Sequence, residues 1–251
     1  MSEFNGQTVL VTRPVSQADS LAARLAELGA AVILHPVIQI FEPSDWREVD
    51  QSISALAQYG WIVFASTNGV RFFLQRCRHR GISLAEFPAL KIAAIGSQTA
   101  LALQSVGLMV HMIPAQFDSS TVADNLLICV RQEAVLLVRA NRGSEELGVR
   151  LKAAKIPFSQ IAVYQSVDVQ TADTQTCWRM ERGEIDWVTI TSSAIAVATV
   201  RLFGERLRQV NLASISPITS SQLTALGFAP TVEAEEFNMA GLVRAMLRGV
   251  N

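Results

Sequence analysis

Hydroxyl, amide and guanidinium groups are the chemistry that this sequence sets at regular positions. Ser66-Thr67-Asn68 follows the apolar run Trp61–Phe64, and Ser192-Ser193 follows Trp187–Ile190 after one threonine. Gly96-Ser97-Gln98-Thr99 and Ser216-Pro217-Ile218-Thr219 follow two further apolar runs. Each of these segments then opens a helical pattern. The first turn of a helix has unpaired N–H groups and the positive end of a dipole, so it can bind phosphate or carboxylate without a charged side chain. Ordinary capping is the competing reading, because Ser, Thr and Asn are the preferred capping residues. Arg13 and Arg139 also follow apolar runs. An arginine there pairs either with a carboxylate ligand or with an internal carboxylate. Tyr164, one of two tyrosines, reads as a packed strand residue or as a neutral hydrogen-bond donor. Asp118, Asp168 and Asp186 are scattered, and no GxSxG, HExxH, Walker A or GxGxxG occurs. An enzyme built on these residues would need neither a metal nor a strong nucleophile.

The elements that must carry these groups come in two diverged copies. Shifted by 126 residues, Val9, Arg13, Leu21, Arg24 and Leu25 fall on Val135, Arg139, Leu147, Arg150 and Leu151. The same shift sets Val37 on Val163, Trp61 on Trp187 and Ser66 on Ser192. Beyond about residue 90 the shift is 120, and Ala93, Ile95, Thr99, Leu103, Gly107, Phe117 and Leu127 fall on Ala213, Ile215, Thr219, Leu223, Gly227, Phe237 and Leu247. Each copy opens with a short apolar strand, Thr8–Thr12 or Ala134–Val138. A helix follows, signalled in the first copy by the cap pattern Ser16-x-x-Asp19 and the stop Gly29. A second strand comes next: Ala31–Leu34 continuing through Val37–Phe41, matched by Phe158–Gln165. Strand-helix-strand alternation predicts parallel sheets. A short strand, Val110–Ile113 or Pro230–Val232, leads to the last helix of each copy. The first copy carries an extra basic segment, Arg76–Gly81, which reads as a solvated helix end and loop.

Composition narrows the function classes. The chain has 251 residues, half of them hydrophobic and 17% charged, which fits two folded domains rather than a disordered chain. A net charge of −1 argues against general nucleic-acid binding. The charge-free stretches Ile92–Phe117 and Gln209–Val232 are broken by Gly, Pro and polar residues, so they read as buried strand-loop-helix segments, not membrane spans. Cys77, Cys129 and Cys177 lack metal-ligand or redox spacing. The opening MSEFNGQTVLV lacks a signal-peptide pattern, so a cytoplasmic location is expected.

Val11-Thr12-Arg13-Pro14, Phe64-Ala65-Ser66-Thr67-Asn68-Gly69-Val70, Ala94-Ile95-Gly96-Ser97-Gln98-Thr99-Ala100 and Val163-Tyr164-Gln165, in this order, resemble the uroporphyrinogen-III synthase family. The resemblance spans essentially the whole chain. It implies an α/β fold of two similar parallel-sheet, flavodoxin-like lobes joined by a two-stranded β connector, with the active site between the lobes. Residues 1–37 plus 168–251 would form one lobe and 41–165 the other, with connectors near 35–41 and 163–168. The sequence copies would then interleave, and Ser66 with Ser192, and Thr99 with Thr219, would face each other across the cleft.

The implied activity is cofactor-free and metal-free. Hydroxymethylbilane, a linear tetrapyrrole bearing many carboxylates, would cyclise to uroporphyrinogen III with loss of water and inversion of ring D, by way of an azafulvene and a spiro intermediate. By motif match Tyr164 would assist departure of the hydroxyl. Arg13, Ser66, Thr67, Asn68, Gly96, Thr99, Arg139, Ser192, Ser193 and Thr219 would contact substrate. Two positions depart from the family pattern: Ser216 stands where glycine is expected, and Ser192-Ser193-Ala194 replaces Ser-Pro-Ser. A monomer is expected, with no nucleic-acid or membrane partner and with transient handover from hydroxymethylbilane synthase. Two other readings stay open on the residues alone: a non-enzymatic two-lobe cytosolic binding protein for an anionic metabolite, and a protein-interaction module of two receiver-like lobes.

Overall fold

A computed structural model describes residues 3–114, 119–130 and 133–250, apart from the side chains of Ser16, residues 119–123 and Val250. Phe117 and Asp118 lie outside the described residues. In chain order the elements are β1 (Thr8–Val11), α1 (Val15–Glu27), β2 (Ala31–Leu34), β3 (Ile38–Phe41), α2 (Arg47–Ser54), β4 (Trp61–Phe64), α3 (Thr67–His79), β5 (Lys91–Ala94), α4 (Ser97–Gln104) and α5 (Ser119–Cys129). They continue with β6 (Val135–Ala140), α6 (Glu146–Ala153), β7 (Phe158–Asp168), α7 (Thr174–Glu181), β8 (Trp187–Ile190), α8 (Ser193–Phe203), β9 (Asn211–Ser214), α9 (Pro217–Ala225), β10 (Val232–Glu233) and α10 (Met239–Val250).

The chain divides into two compact units. Unit one is Met1–Gln39 with Val167–Asn251, and unit two is Ile40–Ser166. Unit one holds a parallel sheet in the order β10-β9-β8-β1-β2. The second sheet runs β3-β7-β6-β4-β5, with β7, β6, β4 and β5 parallel. The boundary between the units passes through β3 and β7, which are neighbours in that sheet. The central strands are buried along their whole length, TVLV in β1, WIVF in β4 and WVTI in β8. Strands of a parallel sheet covered on both faces read as continuous apolar runs, which is why these segments lack polar alternation.

Each sheet mixes the two sequence copies. In unit one, β1 of the first copy lies against β8 of the second; in unit two, β6 of the second copy lies against β4 of the first. One side-chain bond is made twice across this exchange. Trp187 Nε1 donates to Gln7 Oε1 at 3.0 Å, and Trp61 Nε1 donates to Glu133 Oε2 at 2.9 Å. Gln7 and Glu133 are related by the same shift of 126 as the tryptophans.

Four sequence expectations change. Helix α1 starts at Val15 with Pro14 as its N-cap, so Ser16 lies in its first turn and does not cap it. The fixed φ of proline presets that start, and Gln17 N–H closes onto Pro14 O at 2.9 Å. The run from Ala31 to Phe41 is not one strand: β2 and β3 join different sheets, and Pro36, which has no N–H, lies in the break. The expected strand at 110–113 is a single bridge, Ala93 to Met112. The basic segment Arg76–Gly81 is pinned rather than simply solvated, because Arg76 and Arg80 both grip Asp50 of α2, at 2.6 and 3.2 Å. The Arg76 side chain, bonded to that carboxylate, holds Asp50 below the usual carboxylate range.

The cross-copy bonds give a stability test. Replacing Gln7 with Ala leaves the largely buried Trp187 indole N–H without its acceptor, at a cost of about 1–3 kcal/mol. Urea denaturation followed by circular dichroism should show a lowered midpoint for Gln7→Ala. No shift would mean that water satisfies the indole equally well.

Candidate active site

The parallel order of unit two brings the carboxyl ends of β5, β4, β6 and β7 to one edge of the sheet. Ligands of open α/β sheets bind at this edge. Ser66 follows β4 and is the N-cap of α3; its Oγ accepts Gly69 N–H at 3.0 Å. The same Oγ lies 3.0 Å from Tyr164 Oη. The Tyr164 ring stacks on Phe72 of α3, with centroids 5.7 Å apart and planes 15° apart. Tyr164 is therefore packed and hydrogen-bonded at once.

An irregularity of the sheet aims it. Arg139 pairs with Ala162 but Ala140 pairs with Tyr164, so β7 carries one extra residue there. A bulge breaks the two-residue alternation and re-aims the side chains beside it. Val163 and Tyr164 are consequently both buried in one apolar cluster. Backbone bonds then tie the strand ends together, with Asn141 N–H donating to Tyr164 O at 3.0 Å and Ser166 N–H to Asn141 Oδ1 at 2.8 Å.

A pocket of about 260 Å³ opens at this edge, lined by Ser66, Arg139 and Tyr164 together with Ile95, Arg142, Gly143, Ser144 and Gln160 among others. Arg139 is buried, with Nη1 donating to Glu145 Oε1 at 2.7 Å and Nη2 making no hydrogen bond. The Gln160 amide, which donates to Glu145, and the charge of Arg139 together hold the Glu145 carboxyl below its usual range. Thr67 and Asn68 form the first turn of α3, and Thr99 belongs to the first turn of α4 behind its N-cap Gly96. Asn68 and Thr99 are buried, and none of these four lines the pocket. Gly96 adopts φ +97°, a left-handed conformation that favours glycine.

Arg13, Ser192, Ser193 and Thr219 belong to unit one, at the carboxyl ends of β1, β8 and β9. Ser192 caps α8 as Ser66 caps α3, accepting Ile195 N–H at 3.2 Å, and Ser193 is the first residue of that helix. Ser216, the counterpart of Gly96, is extended at φ −165°, so a serine fits there without strain. Its Oγ accepts Thr219 N–H at 3.4 Å and lies 3.1 Å from Thr219 Oγ1, and Thr219 is buried. Arg13 reaches Met239 Sδ at 2.7 Å and Gln17 Oε1 at 3.1 Å. Among the described residues no carboxylate pairs with it, and its Nε is buried without a partner. Burial pushes its pKa down. A cation held out of water without a counter-ion is costly, which is how a site built for an anionic ligand behaves. Elsewhere Cys77 is buried and its thiol is pushed up to about 12, which leaves it inert.

A family model described as uroporphyrinogen-III synthase HemD matches residues 19–244. The chain belongs to the uroporphyrinogen-III synthase family. The uroporphyrinogen-III synthase of Synechococcus elongatus is 29% identical to it, over 96% of this chain and 94% of that protein. The one from Chlorobaculum parvum is 25% identical, over 96% and 98%. A crystal structure of a mutant uroporphyrinogen III synthase from Thermus thermophilus superposes with a TM-score of 0.72 over 98% of this chain and 99% of that chain. At 16% identity that likeness establishes the fold, two parallel-sheet α/β units. Membership of the uroporphyrinogen-III synthase family makes this an enzyme of the cyclising lyase type, which displaces the two non-enzymatic readings. No helix of the described residues is long and apolar enough to cross a membrane.

The residues in or beside the pocket that escaped the sequence reading include Gly143, Arg142, Ser144, Glu145 and Gln160. A signal for the first was present, because the 126-residue shift sets Gly143 on Gln17, the residue that bonds Arg13. The caps also give a measurement. Ser192→Ala removes only a cap and should cost about 0.5–2 kcal/mol in chemical denaturation. Ser66→Ala removes a cap and the bond to Tyr164, so it should cost more. Equal costs would show that the tyrosine bond adds nothing to stability.

Proposed function

We propose that this chain, a uroporphyrinogen-III synthase by family, cyclises hydroxymethylbilane at the strand ends that carry Tyr164. The observation that supports this most is the bond between Tyr164 Oη and Ser66 Oγ at the pocket. Ser66 Oγ already accepts Gly69 N–H at the start of α3, so its own proton is free to go to Tyr164 Oη. The phenol proton is then available to the hydroxyl of the bilane. Tyr164 thus donates a hydrogen bond to the departing oxygen, backed by the N-terminal end of a helix dipole.

The carbon–oxygen bond breaks with the pyrrole nitrogen supplying electrons, giving an azafulvene cation, and the hydroxyl leaves as water with the Tyr164 phenol proton, which the ring proton lost at the end replaces. The far pyrrole attacks through its substituted carbon and forms the spiro intermediate. Fragmentation and recombination through the free carbon of ring D invert that ring and close the macrocycle, and loss of the proton from that carbon restores the pyrrole. The net change is loss of one water, with no oxidation. The bilane also cyclises unaided to the uninverted isomer, so the protein's task is to hold a reactive cation in one shape. This reading needs no cofactor or metal.

The substrate is a polyanion, and the remaining residues suit it. Arg139, Ser66, Thr67, Asn68, Gly96 and Thr99 in unit two, and Arg13, Ser192, Ser193 and Thr219 in unit one, supply guanidinium groups, hydroxyls and helix starts for its carboxylates. In this reading the two units correspond to the family's two lobes, with residues 1–37 plus 168–251 and 41–165 joined near 35–41 and 163–168. The protein acts as a cytoplasmic monomer. A substrate that closes to the wrong isomer in solution favours direct handover from hydroxymethylbilane synthase.

Incubation with enzymatically generated hydroxymethylbilane, followed by oxidation and isomer separation, should yield the type III product. A product that is only type I would overturn the assignment. Tyr164→Phe should stay folded and lower kcat about tenfold to a hundredfold, matching loss of one hydrogen bond to a developing charge of about 1.5–3 kcal/mol. Unchanged turnover would remove Tyr164 from the mechanism.

A further inference from the structure

The twin arginines differ in one respect that the duplication makes legible. In unit one the residue four positions on from Arg13 occupies its Nη2: Gln17 Oε1 accepts from that nitrogen at 3.1 Å. In unit two the residue four positions on is Gly143. Gly143 has φ +134°, a conformation that itself favours glycine, and a Cβ there would lie 3.2 Å from Arg139 Nη2, so glycine also leaves open the space beside that nitrogen, which Gln17 occupies in the other copy. The nitrogen beside that space, Arg139 Nη2, is buried and has no hydrogen-bond partner, and Arg139 as a whole is only 8% exposed. A buried donor of a charged group left unpaired is expensive, so its persistence calls for a partner that arrives.

The other half of the fork is held. Nη1 donates to Glu145 Oε1 at 2.7 Å, and Gln160 Nε2 steadies Glu145 Oε2 at 3.2 Å. Glu145 is itself mostly exposed and is not among the pocket-lining residues, whereas Arg139 and Gly143 are. The arginine is therefore fixed from the solvent side and open on the pocket side.

We propose that Arg139, Gly143 and Glu145 form a subsite for a single carboxylate arm of the substrate, in which Gly143 makes the room and Glu145 is a positioning residue. The arm takes Nη2 while Glu145 keeps Nη1. Capacity is one carboxylate, because only one terminal nitrogen is open. Glu145 also tunes affinity, since its negative charge lies next to the incoming anion. This rests on the proposed synthase reading, which supplies a substrate with carboxylate arms.

The test uses the full chain and two readouts: steady-state KM and kcat on hydroxymethylbilane, and fluorescence titration with uroporphyrin III, the oxidised product and a stable polycarboxylate. Arg139→Lys loses the fork geometry and should raise KM and the uroporphyrin Kd about tenfold or more, as loss of a charged hydrogen bond predicts. Glu145→Gln keeps an acceptor for Nη1 and removes the competing charge, so KM should fall. Glu145→Ala frees the guanidinium, so KM should rise. A merely structural role for Glu145 would move Gln and Ala variants the same way, and that result would overturn its positioning role. Unchanged KM and Kd in Arg139→Lys would overturn the subsite while leaving the synthase reading standing. Type I product from the wild type, with uroporphyrin binding still lost in Arg139→Lys, would overturn the synthase reading and keep the subsite as a carboxylate site.

Discussion

The structure depends on one constraint: a largely apolar strand from one sequence copy must be buried between a strand of its own copy and a strand of the other. Strand β1 lies between β2 and β8, and β6 lies between β4 and β7. Neither strand has a polar face to leave in water, with burial complete along β1 and nearly so along β6. Burying a side chain such as Leu or Val stabilises by about 1.5–3 kcal/mol, so leaving such a strand unpaired costs an amount comparable with a domain's net stability. The tryptophan bonds to Gln7 and Glu133 confirm that register, since each joins residues of opposite copies.

That exchange also decides where chemistry can sit. Parallel pairing sends every strand's carboxyl end the same way, so residues far apart in the chain become neighbours at one edge. Ser66 and Tyr164 are 98 positions apart and share a hydrogen bond. Arg139 and Ser66 line one pocket because β6 pairs directly with β4. The chain needs no local catalytic motif, because the sheet assembles its polar groups from three separate segments.

Much of this was legible from residues alone. Apolar runs bounded by hydroxyls gave the strands and the helix starts, and the two shifts related the copies. What was not legible was geometric. The bulge between Arg139 and Ala140, which aims Tyr164, leaves no mark in composition, since Ala162-Val163-Tyr164 reads as ordinary strand. The cap at Ser216 looked like a defect because glycine was expected there, yet the local backbone is extended and accepts serine. The split of Ala31–Phe41 was hidden because Val37 and Ile38 continue the apolar run, and only pairing to different sheets separates the two halves. Glu145 was missed because its role comes from a loop that folds back on Arg139.

The duplication matters most where it fails. Positions that hold the scaffold stay alike: Trp61 with Trp187, Ser66 with Ser192, Arg13 with Arg139. Three positions that differ bear on the polar groups of the site. Ile38, the counterpart of Tyr164, is a buried apolar residue with no hydrogen-bonding group in its side chain. Gln17 fills an arginine nitrogen that Gly143 leaves open, and Gly96 holds a left-handed turn where Ser216 makes an extended cap. Gln17 thus fills one nitrogen of Arg13 and Ser216 caps its helix with its side chain, whereas Arg139 Nη2 has no hydrogen-bond partner and Gly96 offers no side-chain cap. Polar groups without internal partners are expensive to maintain in a fold and useful only against a ligand. Diverged copies on a shared scaffold thus differ in which groups they leave uncommitted: Arg13 keeps Nε without a partner, Arg139 keeps Nη2, and Tyr164 stands in the second copy alone.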